Sequence, residues 1–80
     1  GKILVLLDHD SQMGDFPTQA ELAKRLDKSQ QLISHHLRTL EKYGLIEGRR
    51  IGMRNRYKIT KEAMFLLETS DAYLQNEMNL

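Results

Sequence analysis

Eighty residues with 12 Lys/Arg against 11 Asp/Glu and no Cys describe a single small domain over residues 1–80, with a net charge of +1. A chain of this size buries only roughly 60–65% of the surface its unfolded form exposes, so a partner is expected to add to its stability. The lack of Cys excludes a disulfide framework, thiolate metal sites and a Cys nucleophile together, and points to a reducing cytoplasm.

The net charge conceals a division along the chain. From Ser29 to Lys58 there are seven Lys/Arg against Glu41 and Glu47, whereas from Ile59 to Leu80 Lys61 stands against four acids. A basic middle beside an acidic tail suits a protein that holds a polyanion at one surface. The longest apolar run, Ile3 to Leu7, is far short of the ~18 residues of a membrane span and lies too near the first residue for a signal peptide. Gly1 in place of Met suggests a trimmed domain or a cloning remnant, with a longer native protein as the expectation.

In chain order, Ile3–Leu7 reads as a short helix, with a buried strand as the alternative, and the polar stretch Asp8 to Gly14 ends it. Pro17 forces Phe16 and its neighbours into an extended segment. Thr18-Gln19-Ala20-Glu21 fits a capping box, in which Thr18 accepts from the Glu21 amide and the Glu21 carboxylate reaches back to the chain at Thr18. Leu22, Ala23 and Leu26 form the buried stripe of the helix so opened. After the break at Asp27-Lys28, Ser29 caps a third helix that runs to about Tyr43 and stops at Gly44. Leu45–Ile51 and Arg56–Ile59 predict two strands joined by a four-residue loop, Gly52 to Asn55. Thr60 opens a last helix reaching about residue 78. No repeat, linker or low-complexity tract interrupts this order, which makes an α+β, mostly helical architecture: a three-helix core, a two-stranded hairpin and a C-terminal helix.

Helix three carries the functional signal. At about 100° per residue, Ile33, Leu37 and Leu40 share one face, with Leu32, His36 and Tyr43 beside it. Gln31, Ser34, His35, Arg38 and Lys42 occupy the opposite face, and Glu41 is the only acid. A major groove admits one helix, and Gln and Arg suit bidentate pairing with adenine and guanine edges. Gln30, Gln31, Ser34, His35 and Arg38 are therefore the candidate base readers. Helix, turn, helix, with the second presenting its N-terminal half outward, is helix-turn-helix geometry. The hairpin adds Arg49, Arg50, Arg54, Asn55 and Arg56 as a wing over residues 47–58 that grips phosphates or a minor groove. Thr18, Lys28, Ser29 and Lys42 are further backbone contacts.

The run Ser29-Gln30-Gln31-Leu32-Ile33-Ser34-His35-His36-Leu37-Arg38-Thr39-Leu40-Glu41-Lys42-Tyr43-Gly44-Leu45-Ile46 resembles the recognition helix of ArsR-type winged-helix repressors. The Leu-Glu-Lys-x-Gly-Leu-Ile segment and the basic wing are similar to the wider winged-helix group that includes MarR-like proteins. The resemblance spans about Thr18 to Ile59. It implies a winged helix-turn-helix that binds double-stranded DNA as a transcriptional regulator. The alternatives are an accessory domain of a larger nucleic-acid-processing protein and a winged helix that binds protein.

Several departures limit what the resemblance implies. Metal-sensing members place Cys around helix two, where this chain has Ala20-Glu21-Leu22-Ala23-Lys24, and others use His on the last helix, which has none. No metal or cofactor is expected. His35 and His36 point about 100° apart and do not jointly face one ion, and Asp8-His9-Asp10 reads as a solvated turn. No Ser/His/Asp arrangement, metal cage or Gly-rich phosphate loop supports an enzyme. Leu67, Leu74 and Met78, at helical spacing near the C-terminus and interrupted by Asp71, are the candidate dimer seam, with Ile3, Leu4 and Leu7 beside it.

Overall fold

Three helices in this chain end in the same way, and that shared ending sets the path of the backbone. In the computed structural model, which describes the backbone of residues 2–78 and the side chains of 2–69, the order is α1 (Lys2–Gln12), α2 (Gln19–Leu26), α3 (Gln30–Lys42), β1 (Ile46–Ile51), β2 (Arg54–Ile59) and α4 (Lys61–Met78). At each of the first three C-termini a residue turns left-handed and two amides fold back on the last carbonyls. These are Gly14 and Asp15 on Ser11 and Asp10, Asp27 and Lys28 on Lys24 and Ala23, and Gly44 and Leu45 on Glu41 and Leu40. This Schellman arrangement satisfies carbonyls that the helix leaves open. Asp27 does it without glycine, at φ +54° and ψ +49°, because a short polar side chain tolerates the left-handed region. The turn between α2 and α3 therefore has a fixed geometry.

Side-chain caps open the next helices. Thr18 accepts from the Glu21 amide at 3.2 Å, Ser29 from the Leu32 amide at 3.1 Å, and Thr60 from the Ala63 amide at 3.2 Å. The first of these is one half of the expected capping box, and the other half differs. The Glu21 carboxylate accepts from the Thr18 hydroxyl at 3.2 Å, not from the Thr18 amide. The Thr18 backbone lies in a bridge to Arg56, beside the bond from the Tyr57 amide to the Pro17 carbonyl at 2.9 Å.

The two strands form an antiparallel hairpin in which Ile46 faces Ile59, Gly48 faces Tyr57, Arg49 faces Arg56 and Ile51 faces Arg54. Its turn has two residues, Gly52 and Met53, instead of the expected four, so Arg54 and Asn55 belong to the strand. Gly52 has φ +66° and Met53 does not turn positive. A two-residue turn with a glycine of this kind at its first position matches the right-handed twist of the strands, which lets the ladder run to its tip.

The core lies between α1, α2, α3, the root of the hairpin and the start of α4. Leu7, Leu22, Ile33 and Leu37 are fully buried, joined by Ile3, Ala23, Ile46, Tyr57, Ile59 and Ala63. Leu26, Leu40 and Leu67 are half-buried against it, whereas Leu66 is exposed. Gly48 is there for closeness. A Cβ on it would stand 3.1 Å from the Tyr57 ring, tighter than ordinary contact.

Two expectations for the N-terminus do not hold. α1 continues through Asp8 to Gln12, and Asp8-His9-Asp10 is helix instead of a solvated turn. Asp10 is buried and binds the Arg25 guanidinium through both oxygens, at 2.5 and 3.3 Å, tying α1 to α2. That hydrogen bond holds the Arg25 guanidinium above its ordinary value.

Two stability predictions follow from the burial pattern. Ile33→Ala should destabilise by ~2–4 kcal/mol in urea unfolding because it leaves a cavity in closed packing. Leu40→Ala should cost less than half as much, since its side chain is already partly in water. Burial, aided by the Glu41 carboxylate, pushes the Tyr57 phenol up from its ordinary value. Folding therefore favours the neutral phenol. That contribution is complete below about pH 10 and is lost as pH rises through the folded-state value. Urea midpoints of the native chain should fall in this alkaline range more steeply than those of Tyr57→Phe.

Candidate nucleic-acid interface

The candidate surface begins with how α3 is held. Ile33 and Leu37 anchor one face of it in the core, and the Gln19 side chain donates to the Gln30 carbonyl at 3.1 Å, pinning its first turn to α2. The opposite face then points outward by helical geometry alone. Gln30, Gln31, His35, Arg38 and Lys42 are exposed and Ser34 is half-buried. Arg38 donates to the Ser34 hydroxyl at 3.3 Å, so two candidate base readers, four residues apart, already lie along one stripe with Gln31. The Thr39 hydroxyl donates back to the His35 carbonyl at 3.1 Å. The rings of His35 and His36 meet edge to face at 5.9 Å, and both are exposed. Glu41, the one acid of α3, lies at the hairpin root near Gly48.

The wing divides its cations into two sets. Along one face, Glu47, Arg49 and Ile51 of β1 stand opposite Lys58, Arg56 and Arg54 of β2. Arg49 directly opposite Arg56 would repel, since like charges across a ladder destabilise it. Each has its own partner. The Glu47 carboxylate takes Arg49 at 3.2 Å and Lys58 at 3.7 Å. Arg56 turns to the Phe16 carbonyl at 2.8 Å and the Glu21 carboxylate at 3.4 Å. Arg50 and Arg54, towards the tip, have no carboxylate within ion-pair distance among the described residues, and neither do Arg38 and Lys42 of α3. Arg50 and Asn55 pair on the opposite face of the hairpin and are both exposed.

The backbone candidates are placed unequally. Lys28 and Ser29 are exposed in the turn ahead of α3, Ser29 as its cap. Thr18 is buried and its hydroxyl donates to Glu21, which leaves no hydroxyl hydrogen for a phosphate. Arg56 is half-buried and acts as a strut between wing and α2. Sequence reasoning missed both this strut and the Asp10–Arg25 pair. Each joins residues far apart in the chain, and no local pattern announces them.

Of the candidate seam, Leu67 packs partly against the domain's own core, while the side chains of Leu74 and Met78 lie outside the described residues. Further apolar surface stands exposed at Val5 on α1 and at Phe65 and Leu66 on α4. Among the described residues no helix is long and apolar enough to cross a membrane, and no three acidic or His side chains converge as a metal site.

Comparisons with known proteins agree with this geometry. Residues 18–47 match the model of the bacterial regulatory protein, arsR family. No curated protein matches. Among solved structures, an ArsR-like transcriptional regulator from Rhodococcus sp. RHA1 is 26% identical with a TM-score of 0.69, over 98% of this chain and 67% of that one. MepR, as a mutant from a multidrug-resistant S. aureus clinical isolate, is 24% identical with a TM-score of 0.79, over 95% of this chain. The homodimeric winged helix-turn-helix DNA-binding domain of Mb0332 from Mycobacterium bovis, a possible ArsR-family transcriptional regulator, is 23% identical with a TM-score of 0.77, over 95% of this chain and 67% of that one. The chain spans 55% of the length of the S. aureus protein. Helix-turn-helix, two-stranded wing and matched segment agree on the fold: this chain is a winged helix-turn-helix, similar over residues 18–47 to the arsR-family regulatory proteins.

Proposed function

We propose that this chain binds double-stranded DNA in a sequence-specific way and serves as the DNA-binding part of a transcriptional regulator. The observation that carries the reading is the pairing of an outward α3 face bearing Gln30, Gln31, Ser34, His35 and Arg38 with a wing whose Arg50 and Arg54 have no carboxylate partner among the described residues. Placed in the major groove, α3 reads base edges through Gln31 and Arg38. Lys28, Ser29 and Lys42 fall on the flanking phosphates, and Arg49, Arg50, Arg54 and Asn55 follow the backbone into the adjacent minor groove. Arg56 and Thr18 contribute by holding the wing at its angle to α3. The chemistry is recognition without catalysis.

A homodimer completes this reading. Two copies related by a two-fold axis would present two α3 helices to major-groove faces about 34 Å apart and would select a near-palindromic site. Supporting it are the exposed Val5, Phe65 and Leu66, the Leu67, Leu74 and Met78 spacing, and the homodimeric state of the similar Mb0332 domain. A cytoplasmic location fits a ligand that is DNA.

Selection of bound sequences from random duplexes supplies the operator, and two predictions then test the reading. If each copy neutralises three to five phosphates, the log–log dependence of affinity on salt should have a slope of roughly −5 to −9, and a slope near zero would contradict the reading. Arg38→Ala and Gln31→Ala should each lose ~1–3 kcal/mol on the selected site while sparing random DNA, whereas Arg54→Ala should weaken both alike. Equal losses on both kinds of DNA for all three variants would remove the division between reading helix and gripping wing.

A further inference from the structure

The tip of the wing carries an apolar side chain that neither the core nor charge explains. Met53 is 87% exposed, the most open of the large apolar residues among those described. The two-residue turn places it at the apex, and the turn's conformational demand falls on Gly52, so nothing in the backbone geometry requires an apolar residue at Met53. Its surroundings are cationic. Arg54 follows it, Ile51, itself half-exposed, pairs with Arg54, and Arg49 and Arg50 lead into the turn.

The hairpin has the reach to bring this side chain to DNA bases. Gly48 and Tyr57 are the last cross-strand pair against the core. Three further residues on β1, at ~3.3 Å each, carry the turn ~10 Å beyond it. A minor groove is about 6 Å wide and 7.5 Å deep. Two strands about 4.8 Å apart, with their side chains, are too broad to enter it. A single unbranched Met at the apex is narrow enough, and its flexible thioether adapts to an irregular apolar slot. Cations on both flanks bring the tip against the phosphate rails, and apolar wedges of this type part base steps in other minor-groove proteins.

We infer that Met53 is a minor-groove wedge: it inserts at a deformable base step and partly unstacks it, while Arg50 and Arg54 hold the flanking phosphates. The inference rests on the DNA-binding reading and adds to it a source of sequence preference that no hydrogen bond supplies. Pyrimidine–purine steps such as TA open easily, whereas A-tracts are stiff. The wing therefore favours flexible steps at the place where it lands, and it bends the duplex.

The test compares two duplexes of equal A·T content, one of alternating TA steps and one an A-tract, each with 2-aminopurine in the body and a fluorophore pair at its ends. The native chain should bind the alternating duplex about fivefold more tightly, brighten 2-aminopurine and shorten the end-to-end distance. Met53→Ala should keep its thermal stability and the salt slope, since it removes neither packing nor a phosphate contact, and should lose the preference, the brightening and the bend. Met53→Leu should retain all three. Bound DNA should also slow peroxide oxidation of Met53 relative to the exposed Met13 on the chain itself. If Met53→Ala keeps the native preference and brightening, the wedge is overturned while DNA binding stands. If the native chain binds neither duplex, the DNA reading fails and the wedge with it.

Discussion

The wing keeps a fixed angle to α3 because β2 is fastened from several sides at its root. The Tyr57 amide donates to Pro17, Arg56 bonds to Phe16 and Glu21, and the Ile59 amide donates to the Ser11 hydroxyl. The Thr60 hydroxyl donates to the Gly44 carbonyl at the end of α3 while capping α4. β2 and the Thr60 that follows it thus meet α1, the entry to α2, the exit of α3 and the start of α4. A free two-stranded hairpin is marginal in water. Here the Pro17–Thr18 segment supplies a third partner at the root, and Ile46, Tyr57 and Ile59 bury the inner face. The geometry that relates the wing to α3 is a property of this joint.

Charge follows the same division between root and tip. Near the root the cations are matched: Arg56 by Glu21, Arg49 and Lys58 by Glu47. Exposed pairs of this kind contribute little stability, commonly under ~1 kcal/mol. Their effect is to relieve the repulsion of Arg49 opposite Arg56 without adding apolar bulk. Towards the tip and along α3 such matching stops, and Arg50, Arg54, Arg38 and Lys42 stay available to an outside anion. The Asp10–Arg25 pair sets the other end of the frame, because a carboxylate this buried requires its partner.

Local signals made much of this legible in the sequence. Caps at Thr18 and Ser29, the left-handed stop at Gly44 and the Ile33/Leu37 stripe placed α2 and α3 almost to the residue, since each acts within one or two turns of chain. The outward residues of α3 followed from that stripe. What the sequence hid was decided across space. Asp8-His9-Asp10 carries the composition of a turn, yet Arg25 stabilises Asp10 inside a helix. The hairpin loop looked four residues long because Gly52 and Asn55 both suit turns, but the ladder closes with Ile51 opposite Arg54. Thr18 and Arg56 were read as phosphate contacts by residue type, and it is the bridge between them that takes them inside.

The central claim is that the surface formed by α3 and the wing is the one that meets DNA. Amide chemical-shift mapping of the ¹⁵N-labelled chain against the selected duplex tests it directly. The account predicts that perturbations concentrate on 28–42 and 49–55, with Thr18 and Tyr57 shifting little. Perturbations centred on α1 and α4, with α3 unmoved, would contradict it.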